Sequence, residues 1–221
     1  MSAKPIGLLG GTFDPVHFAH LRLAVEAAEQ LALASVRWIP SGQPGHREAP
    51  AAGVEHRLAM LRLAIADEPR FALDDADAHN VVPTFTVNTL ARLRAELGAG
   101  VPLVLIIGAD QLLALDTWRE WKRLFELAHI AVAERPRFEV RAGALAEELA
   151  AEYARRSAEA SALARTPAGA ITTFCMTPLD ISASAIRAGL AAGRTPRYLL
   201  PDTVLDYIAS QQLYAKETGP R

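Results

Sequence analysis

Cysteine is the residue type that this sequence most clearly lacks, since Cys175 is the only one among 221 residues. A single cysteine excludes an intrachain disulfide framework and leaves no Cys/His cluster of the kind that zinc sites use. The sequence also has no apolar run near the roughly 20 residues of a membrane span. No basic N-terminal segment precedes a long apolar stretch. We therefore expect a soluble, cytoplasmic protein that does not bind membranes.

An excess of charge of either sign is also missing. The 23 Lys and Arg residues against 25 Asp and Glu residues give a formal net charge of −2. This balance offers no overall electrostatic reason to expect nucleic-acid binding. Hydrophobic residues make up 51% of the chain, which suits a globular domain with a sizeable core. The composition carries no signal for an oligomeric state.

What the sequence does contain is a dense motif near its start. Residues 10–20 are Gly-Gly-Thr-Phe-Asp-Pro-Val-His-Phe-Ala-His, between an apolar strand-like run and apolar residues at helical spacing. The paired glycines let the backbone turn tightly and approach a ligand. His17 and His20 share one face of the first helical turn, where free N–H groups favour an anion. We predict a phosphate site at this turn.

Other interpretations of this motif stay open from the residues alone. The two histidines would suit a metal site if a third ligand joined them, or they could lie on the surface by chance. A dinucleotide-binding turn would need G-x-G-x-x-G, and the spacing of Gly7, Gly10 and Gly11 does not fit that pattern.

The motif also carries a family resemblance. Residues 10–20 resemble the G-G-T-F-D-P-x-H-x-G-H signature of adenylyltransferases in the H-x-G-H nucleotidyltransferase superfamily, with Ala19 in place of a glycine. Residues 181–187, Ile-Ser-Ala-Ser-Ala-Ile-Arg, resemble a second signature, I-S-S/A-T-x-I-R. With both motifs in this order, the chain resembles the nicotinate mononucleotide adenylyltransferase family over nearly its whole length.

The order of elements predicts the fold class. Strands alternating with helices predict an α/β, Rossmann-like, doubly wound parallel sheet with helices on both faces, of nucleotidyltransferase type. We expect a single domain over residues 1–221, whose C-terminal helical part, about 177–214, carries the second phosphate motif. The apolar strand at Val101–Ile107 is expected to be central and buried. Beyond its carboxyl end, Asp110 is placed either to accept from a ribose hydroxyl or to cap the next helix.

The resemblance implies a set of residues for ATP. It implies that His17, His20 and Arg187 are catalytic and that Mg²⁺ arrives with ATP, without a protein metal ligand. At the second helix start, Ser hydroxyls and the Arg fork would hold phosphate oxygens. The residues implied to bind ATP are Gly10, Gly11, Thr12, Phe13, Asp14, His20, Gly108, Asp110, Ser182, Ser184 and Arg187.

The resemblance also implies where the second substrate, nicotinate mononucleotide, binds. The loop that contains His46 and Arg47 would reach its phosphate. The helix start at Thr86 and, separately, Trp118 would approach the pyridine ring. Gly45 and Phe85 depart from the family's pattern within these segments. The residues implied to bind the mononucleotide are His46, Arg47, Thr86, Trp118 and Arg119.

Several other residues are expected to have structural rather than functional roles. Arg57 is expected to be a surface charge, and the acidic run at 74–77 a solvated turn. Trp118 and Trp121 are expected to be neighbours on one helix, and Cys175 a small core residue. Thr84 or Thr86 is expected to cap the helix that runs to about Leu97 and stops at Gly98.

The predicted reaction is direct, in-line adenylyl transfer from ATP to nicotinate mononucleotide. One alternative is a related adenylyl- or cytidylyltransferase with another phosphorylated acceptor, such as nicotinamide mononucleotide or phosphopantetheine. Another is a nucleotide-binding regulator without catalysis. The presence of His17, His20 and Arg187 favours an enzyme, whereas Ala19 and Gly45 keep the regulator open.

Overall fold

The computed structural model describes residues 3–42, 49–80, 82, 84–134 and 142–215. Within this part of the chain, six strands form one parallel sheet in the order β3-β2-β1-β4-β5-β6. The strands are β1 (Ile6–Gly11), β2 (Ser35–Pro40), β3 (Phe71–Leu73), β4 (Leu103–Gly108), β5 (His129–Glu134) and β6 (Ile171–Cys175). This order is the doubly wound arrangement that the sequence predicted.

Eight α-helices connect and cover the strands among the described residues. They are α1 (Phe18–Gln30), α2 (Val54–Ile65), α3 (Thr86–Leu97), α4 (Ala109–Leu113), α5 (Trp121–Leu127), α6 (Glu147–Arg156), α7 (Ala183–Ala191) and α8 (Asp202–Ser210). None of the helices in this part of the chain is long and apolar enough to cross a membrane.

The core lies on both faces of the sheet. One cluster packs Ala24 and Ala27 of α1, Leu61 of α2 and Ile186 of α7 against one face. The other cluster packs residues of α3, α5 and α6 against the opposite face. All five apolar residues of β4 are buried, because helices cover a central parallel strand on both sides. The predicted helices on both faces are therefore confirmed.

The sheet changes winding direction between its two central strands. β1 leads into α1 on one face, whereas β4 leads into α4 on the other. Such a switch point leaves a crevice beyond the carboxyl ends of the two strands, where open α/β sheets bind ligands. Gly11 ends β1 and Gly108 ends β4, so both predicted nucleotide segments meet at this edge.

Several local predictions were wrong. Phe85, not a threonine, precedes the first turn of α3, and no side-chain hydrogen bond caps that helix. Trp118 is extended after a 3₁₀ turn, while Trp121 begins α5, so the two tryptophans do not share a helix. Cys175 is exposed rather than in the core, because it ends β6. The predicted stop of α3 is confirmed at Gly98, which has a positive φ of 96°.

Candidate active site

A cavity of about 240 Å³ lies at the switch point. Its walls come from the ends of β1 and β4, the start of α3 and the segment after the 3₁₀ turn. Thr86, the first residue of α3, and Trp118 lie in these walls. The lining residues are Gly10, Gly11, Thr12, Ile39, Ser41, Asp77, Thr84, Thr86, Thr89, Leu90, Leu105, Ile106, Ile107, Gln111 and Trp118.

The two glycines form the end of β1 rather than the turn that the sequence predicted. A Cβ built on Gly10 would meet only Ile39 O, at 4.0 Å, so its backbone faces open space at the cavity wall. A Cβ on Gly11 would lie 2.8 Å from the ring of Phe13, which excludes a side chain there. Phe13 is buried with a positive φ of 50°, and its ring packs against Trp38.

His17 and His20 lie together at the start of α1. Their rings stack with centroids 3.7 Å apart and an interplanar angle of 22°. The backbone N–H of His17 donates to Nδ1 of His20 at 3.3 Å. This acceptor role places the proton of a neutral His20 on Nε2, which is then a hydrogen-bond donor. His17 is the extended N-cap residue and only His20 lies in the first turn of α1, but the stacking brings the two rings to the same side.

Both imidazoles are neutral near pH 7. Burial lowers the pKa of His17 to about 4. Burial, with a smaller contribution from His17, lowers the pKa of His20 to about 3. Nδ1 of His17 is buried without a hydrogen-bond partner among the described residues. Neutral rings can offer N–H donors to a phosphate oxygen but bring no formal positive charge.

Asp14 organises the turn between β1 and α1. Its buried carboxylate accepts from the backbone N–H of Ala51 at 2.7 Å and of Ala52 at 3.1 Å. The hydroxyl of Tyr214 donates to it at 2.6 Å, from 200 residues further along the chain. Burial raises the pKa of Tyr214, so this phenol stays protonated and remains a donor. Asp14 thus joins three distant segments at one carboxylate.

Arg187 reaches the same turn from α7. Its Nη1 donates to the backbone carbonyl of Asp14 at 2.6 Å and lies 3.8 Å from the Asp14 carboxylate. Ser182 caps α7, since its hydroxyl accepts from Ala185 N–H at 3.2 Å. The hydroxyl of Ser184 lies 3.3 Å from that of Ser182, and both serines are exposed. The structure therefore brings the second motif against the first.

Glu26, which was not among the predicted site residues, connects α1 to the loop that precedes the second motif. Its buried carboxylate on α1 accepts from the backbone N–H of Thr177 at 2.7 Å and from the Thr177 hydroxyl. Arg22 donates to the same carboxylate at 2.7 Å. Burial opposes ionisation, but the hydrogen bonds from Thr177 lower the pKa of Glu26 overall. The loop before α7 is thereby anchored to α1.

Arg57 is buried, with only 2% of its surface exposed, so the predicted surface charge was wrong. It lies on the core-facing side of α2, and its Nη1 donates to Thr12 O at 2.7 Å. It therefore supports the backbone of the predicted phosphate turn. A signal was present in the sequence, because Arg57 recurs at helical spacing with the apolar residues Leu58, Leu61 and Ile65.

The remaining predicted site residues lie further out. Gly108 precedes α4, and Asp110 is exposed two residues later, with a carboxylate oxygen 2.5 Å from where a Gly108 Cβ would stand. The exposed guanidinium of Arg119 stands 4.9 Å from the ring centroid of Phe85, outside the cavity wall. His46 and Arg47 lie outside the described residues.

Among the described residues, no further metal ligand joins the stacked histidines. In the ranges that the structure describes, no group of three or more His, Cys, Asp or Glu residues is arranged to hold a metal ion. The carboxylate of Asp14 is engaged by protein donors. What the arrangement offers instead is backbone surface, neutral N–H donors and one guanidinium, which are groups that recognise phosphate.

Comparison with known proteins places this geometry in a family. The cytidylyltransferase-like family model matches residues 8–189. A relative from Dechloromonas aromatica, named "Probable nicotinate-nucleotide adenylyltransferase", is 52% identical, covering 96% of this chain and 98% of its own. The chain belongs to the nicotinate-nucleotide adenylyltransferases of the cytidylyltransferase-like family. A member from Halorhodospira halophila is 49% identical over 96% of this chain and 95% of its own.

A solved structure agrees with this family at the level of the fold. The Plasmodium falciparum nicotinic acid mononucleotide adenylyltransferase, in a complex with NaAD, superposes with a TM-score of 0.73. It covers 96% of this chain and 97% of its own at 18% sequence identity. The α/β arrangement of the family is thus kept at low sequence identity.

Proposed function

We propose that this protein transfers the adenylyl group of ATP to nicotinate mononucleotide, which yields nicotinate adenine dinucleotide and pyrophosphate in NAD biosynthesis. The observation that carries the proposal is that one segment, residues 10–20, contributes both a cavity wall and the stacked histidines, with Arg187 against it. Relatives at 49% and 52% identity that carry the nicotinate-nucleotide adenylyltransferase name support it.

The transfer is a direct in-line displacement. An oxygen of the mononucleotide 5′-phosphate attacks the α-phosphorus of ATP, and the bond from that phosphorus to the bridging oxygen breaks. Pyrophosphate leaves with the bond's electron pair. Because the attacking phosphate is already anionic, no general base is needed, and catalysis consists of positioning and charge stabilisation.

The proposed roles divide between the two motifs. N–H donors of His17 and His20 stabilise the α-phosphate as charge develops on it. Arg187, with Ser182 and Ser184 at the start of α7, holds the β- and γ-phosphates. The backbone of residues 10–14 contacts the nucleotide, and Asp110 beside Gly108 accepts from a ribose hydroxyl. The protein contacts of the Asp14 side chain are consistent with this backbone role.

The mononucleotide is proposed to place its pyridine ring in the cavity. Trp118 offers a ring face in the wall, and the N-terminus of α3 at Thr86 offers N–H groups to the carboxylate. The 12 residues of α3 supply a helix dipole of the favourable sign. Arg119, whose guanidinium lies over the Phe85 ring outside the cavity wall, is proposed to approach the mononucleotide from there. His46 and Arg47 are proposed to reach the mononucleotide phosphate.

Magnesium is proposed to arrive with ATP. The residues described fit this arrangement, because they offer donors to phosphate rather than a cluster of carboxylates. Mg²⁺ prefers near-octahedral oxygen ligands and retains waters, so phosphate oxygens are its natural partners. When bound, it would neutralise charge on the β- and γ-phosphates.

The decisive experiment measures pyrophosphate release with ATP, Mg²⁺ and a panel of acceptors. Nicotinate mononucleotide should give the highest kcat/KM. A higher value with nicotinamide mononucleotide or phosphopantetheine would assign the protein to a sibling activity. Binding of ATP without release from any acceptor would instead identify a regulator. Labelled ATP without acceptor should leave no label on denatured protein, because the transfer is direct.

A further inference from the structure

One carboxylate lies in the wall of the cavity that is proposed to receive the pyridine ring. Asp77 is 6% exposed and lines the cavity together with Thr86 and Thr89. The hydroxyl of Thr89 donates to the Asp77 carboxylate. Thr89 follows Thr86 by three residues on α3, so the two threonines lie on the same helix face. The predicted solvated turn at residues 74–77 was therefore wrong, since Asp74 and Asp77 are both buried.

A guanidinium stands behind this carboxylate. Nε of Arg92, one further turn along α3, lies 3.5 Å from the Asp77 carboxylate. The same guanidinium donates to the buried carboxylate of Asp74 at 2.9 Å. Nη1 of Arg37 also lies 3.5 Å from the Asp74 carboxylate, so Asp74 has two cationic neighbours. The charge of Asp77 is therefore offset mainly through Arg92.

The placement of these charges matters for an anionic substrate group. A carboxylate in the wall disfavours a second carboxylate in the same pocket, because like charges repel strongly away from water. The same carboxylate would accept from the NH₂ group of an amide. Arg92 reduces both effects by partly neutralising Asp77. Asp77 thus disfavours the acid form of the ring and favours the amide form, and Arg92 weakens both effects.

We propose that Asp77 is a specificity-determining residue and that Arg92 is a positioning residue that acts through it, together setting the preference for nicotinate over nicotinamide mononucleotide. This inference rests on the proposed function, since it assigns the ring substituent to this cavity. Asp77 lowers the acid preference, and Arg92 restores it.

The test is the ratio of kcat/KM for nicotinate mononucleotide to kcat/KM for nicotinamide mononucleotide. Asp77→Asn removes the charge but keeps an oxygen that accepts from Thr89, so the ratio should rise about tenfold. Arg92→Met removes the cation that offsets the charge of Asp77, so the ratio should fall about tenfold. Opposite changes in one ratio are not expected from a loss of stability, which affects both substrates alike.

Glu96→Gln is the matched control. Glu96 also pairs with Arg92, at 3.4 Å, and its substitution also removes one negative charge from the network. Its side chain is 48% exposed and does not line the cavity, so the ratio should stay within about twofold of the wild-type value. A shift in Glu96→Gln as large as that in Asp77→Asn would overturn the inference.

Two further measurements distinguish a failure of this inference from a failure of the variant to fold and from a failure of the proposed function. Arg92→Met leaves the buried carboxylate of Asp77 without its cationic neighbour, so thermal melts accompany the kinetics, and Asp77→Asn decides if that variant does not fold. A wild-type protein that prefers the acid, with an unchanged ratio in Asp77→Asn, rejects this inference alone. A wild-type preference for the amide, or no pyrophosphate release, rejects the proposed function and this inference with it.

Discussion

The two walls of the site that are proposed to hold phosphate differ in burial. The histidine wall, residues 10–20, is built into the core, and His17 is 4% exposed. The serine wall, residues 182–187, presents Ser182 and Ser184 to solvent. Asp14 and Arg187 join the two walls. The polar groups of the histidine wall are held in place by the fold, whereas those of the serine wall remain in contact with water.

This difference indicates how the walls divide the work. Donors that are fixed in a site of low dielectric stabilise developing charge without reorganising, so they lower the barrier of the chemical step. If the exposed hydroxyls and the half-buried guanidinium hold phosphate as proposed, they exchange water for phosphate, and their contribution is mainly to ATP binding. We therefore expect the histidine wall to control kcat and the serine wall to control KM for ATP.

The largest effect is expected in the histidine wall. His20→Ala removes a fixed N–H donor and should lower kcat on the order of 10²–10³-fold, with a smaller change in KM for ATP. Steady-state kinetics measure this, and a thermal melt checks the fold. His79→Ala, at an exposed histidine that pairs with Glu55, serves as the control and should keep normal kcat. Normal turnover in His20→Ala would remove it from the catalytic group.

The next effect concerns the serine wall. Arg187→Ala should raise KM for ATP about tenfold to a hundredfold, since it removes charge-assisted hydrogen bonds. Arg187→Lys should recover little, because lysine lacks the planar fork of the guanidinium. Arg194→Ala, which removes an exposed arginine of equal charge, serves as the control. A fall in kcat without a change in KM would contradict the division between the walls.

The third effect tests burial through pH. The pKa of His17 lies near 4 in the folded chain, against 6.5 without burial. Its stabilising contribution is therefore complete above pH 6.5 and is lost as pH falls toward 4. The wild type should lose about 2 kcal/mol more stability than His17→Asn between pH 7 and pH 5. Urea unfolding at both pH values measures this, and equal losses would indicate that folding does not lower the pKa of His17.

The smallest effect concerns the cap of α7. Ser182→Ala removes the hydroxyl that accepts from Ala185 N–H and should cost about 1 kcal/mol of stability. Ser184→Ala removes no cap and should cost less. Urea unfolding compares the two variants. A larger cost at Ser184 would show that the exposed wall is held by another contact.

Some of the site was predictable because its signals are local. The turn at residues 10–20, the helix start at Ser182 and the stop of α3 at Gly98 each depend on neighbours a few residues away. Charged residues at helical spacing were harder to interpret, as Arg57 shows. Its position marked the core side of α2, but a charge is normally exposed. Burial was favoured because Thr12 and Gly42 supply carbonyl acceptors.

The sequence by itself determined the alternation of strands and helices, the two signature motifs and the family that they resemble. Those features follow from residue spacing and from the conformations of glycine, proline and capping side chains. Only the tertiary structure decided that Tyr214 and Arg187 meet at Asp14, and that Arg92 offsets Asp77 beside the cavity. Such contacts join residues that are distant along the chain, and no local pattern specifies which carboxylate a distant donor will reach.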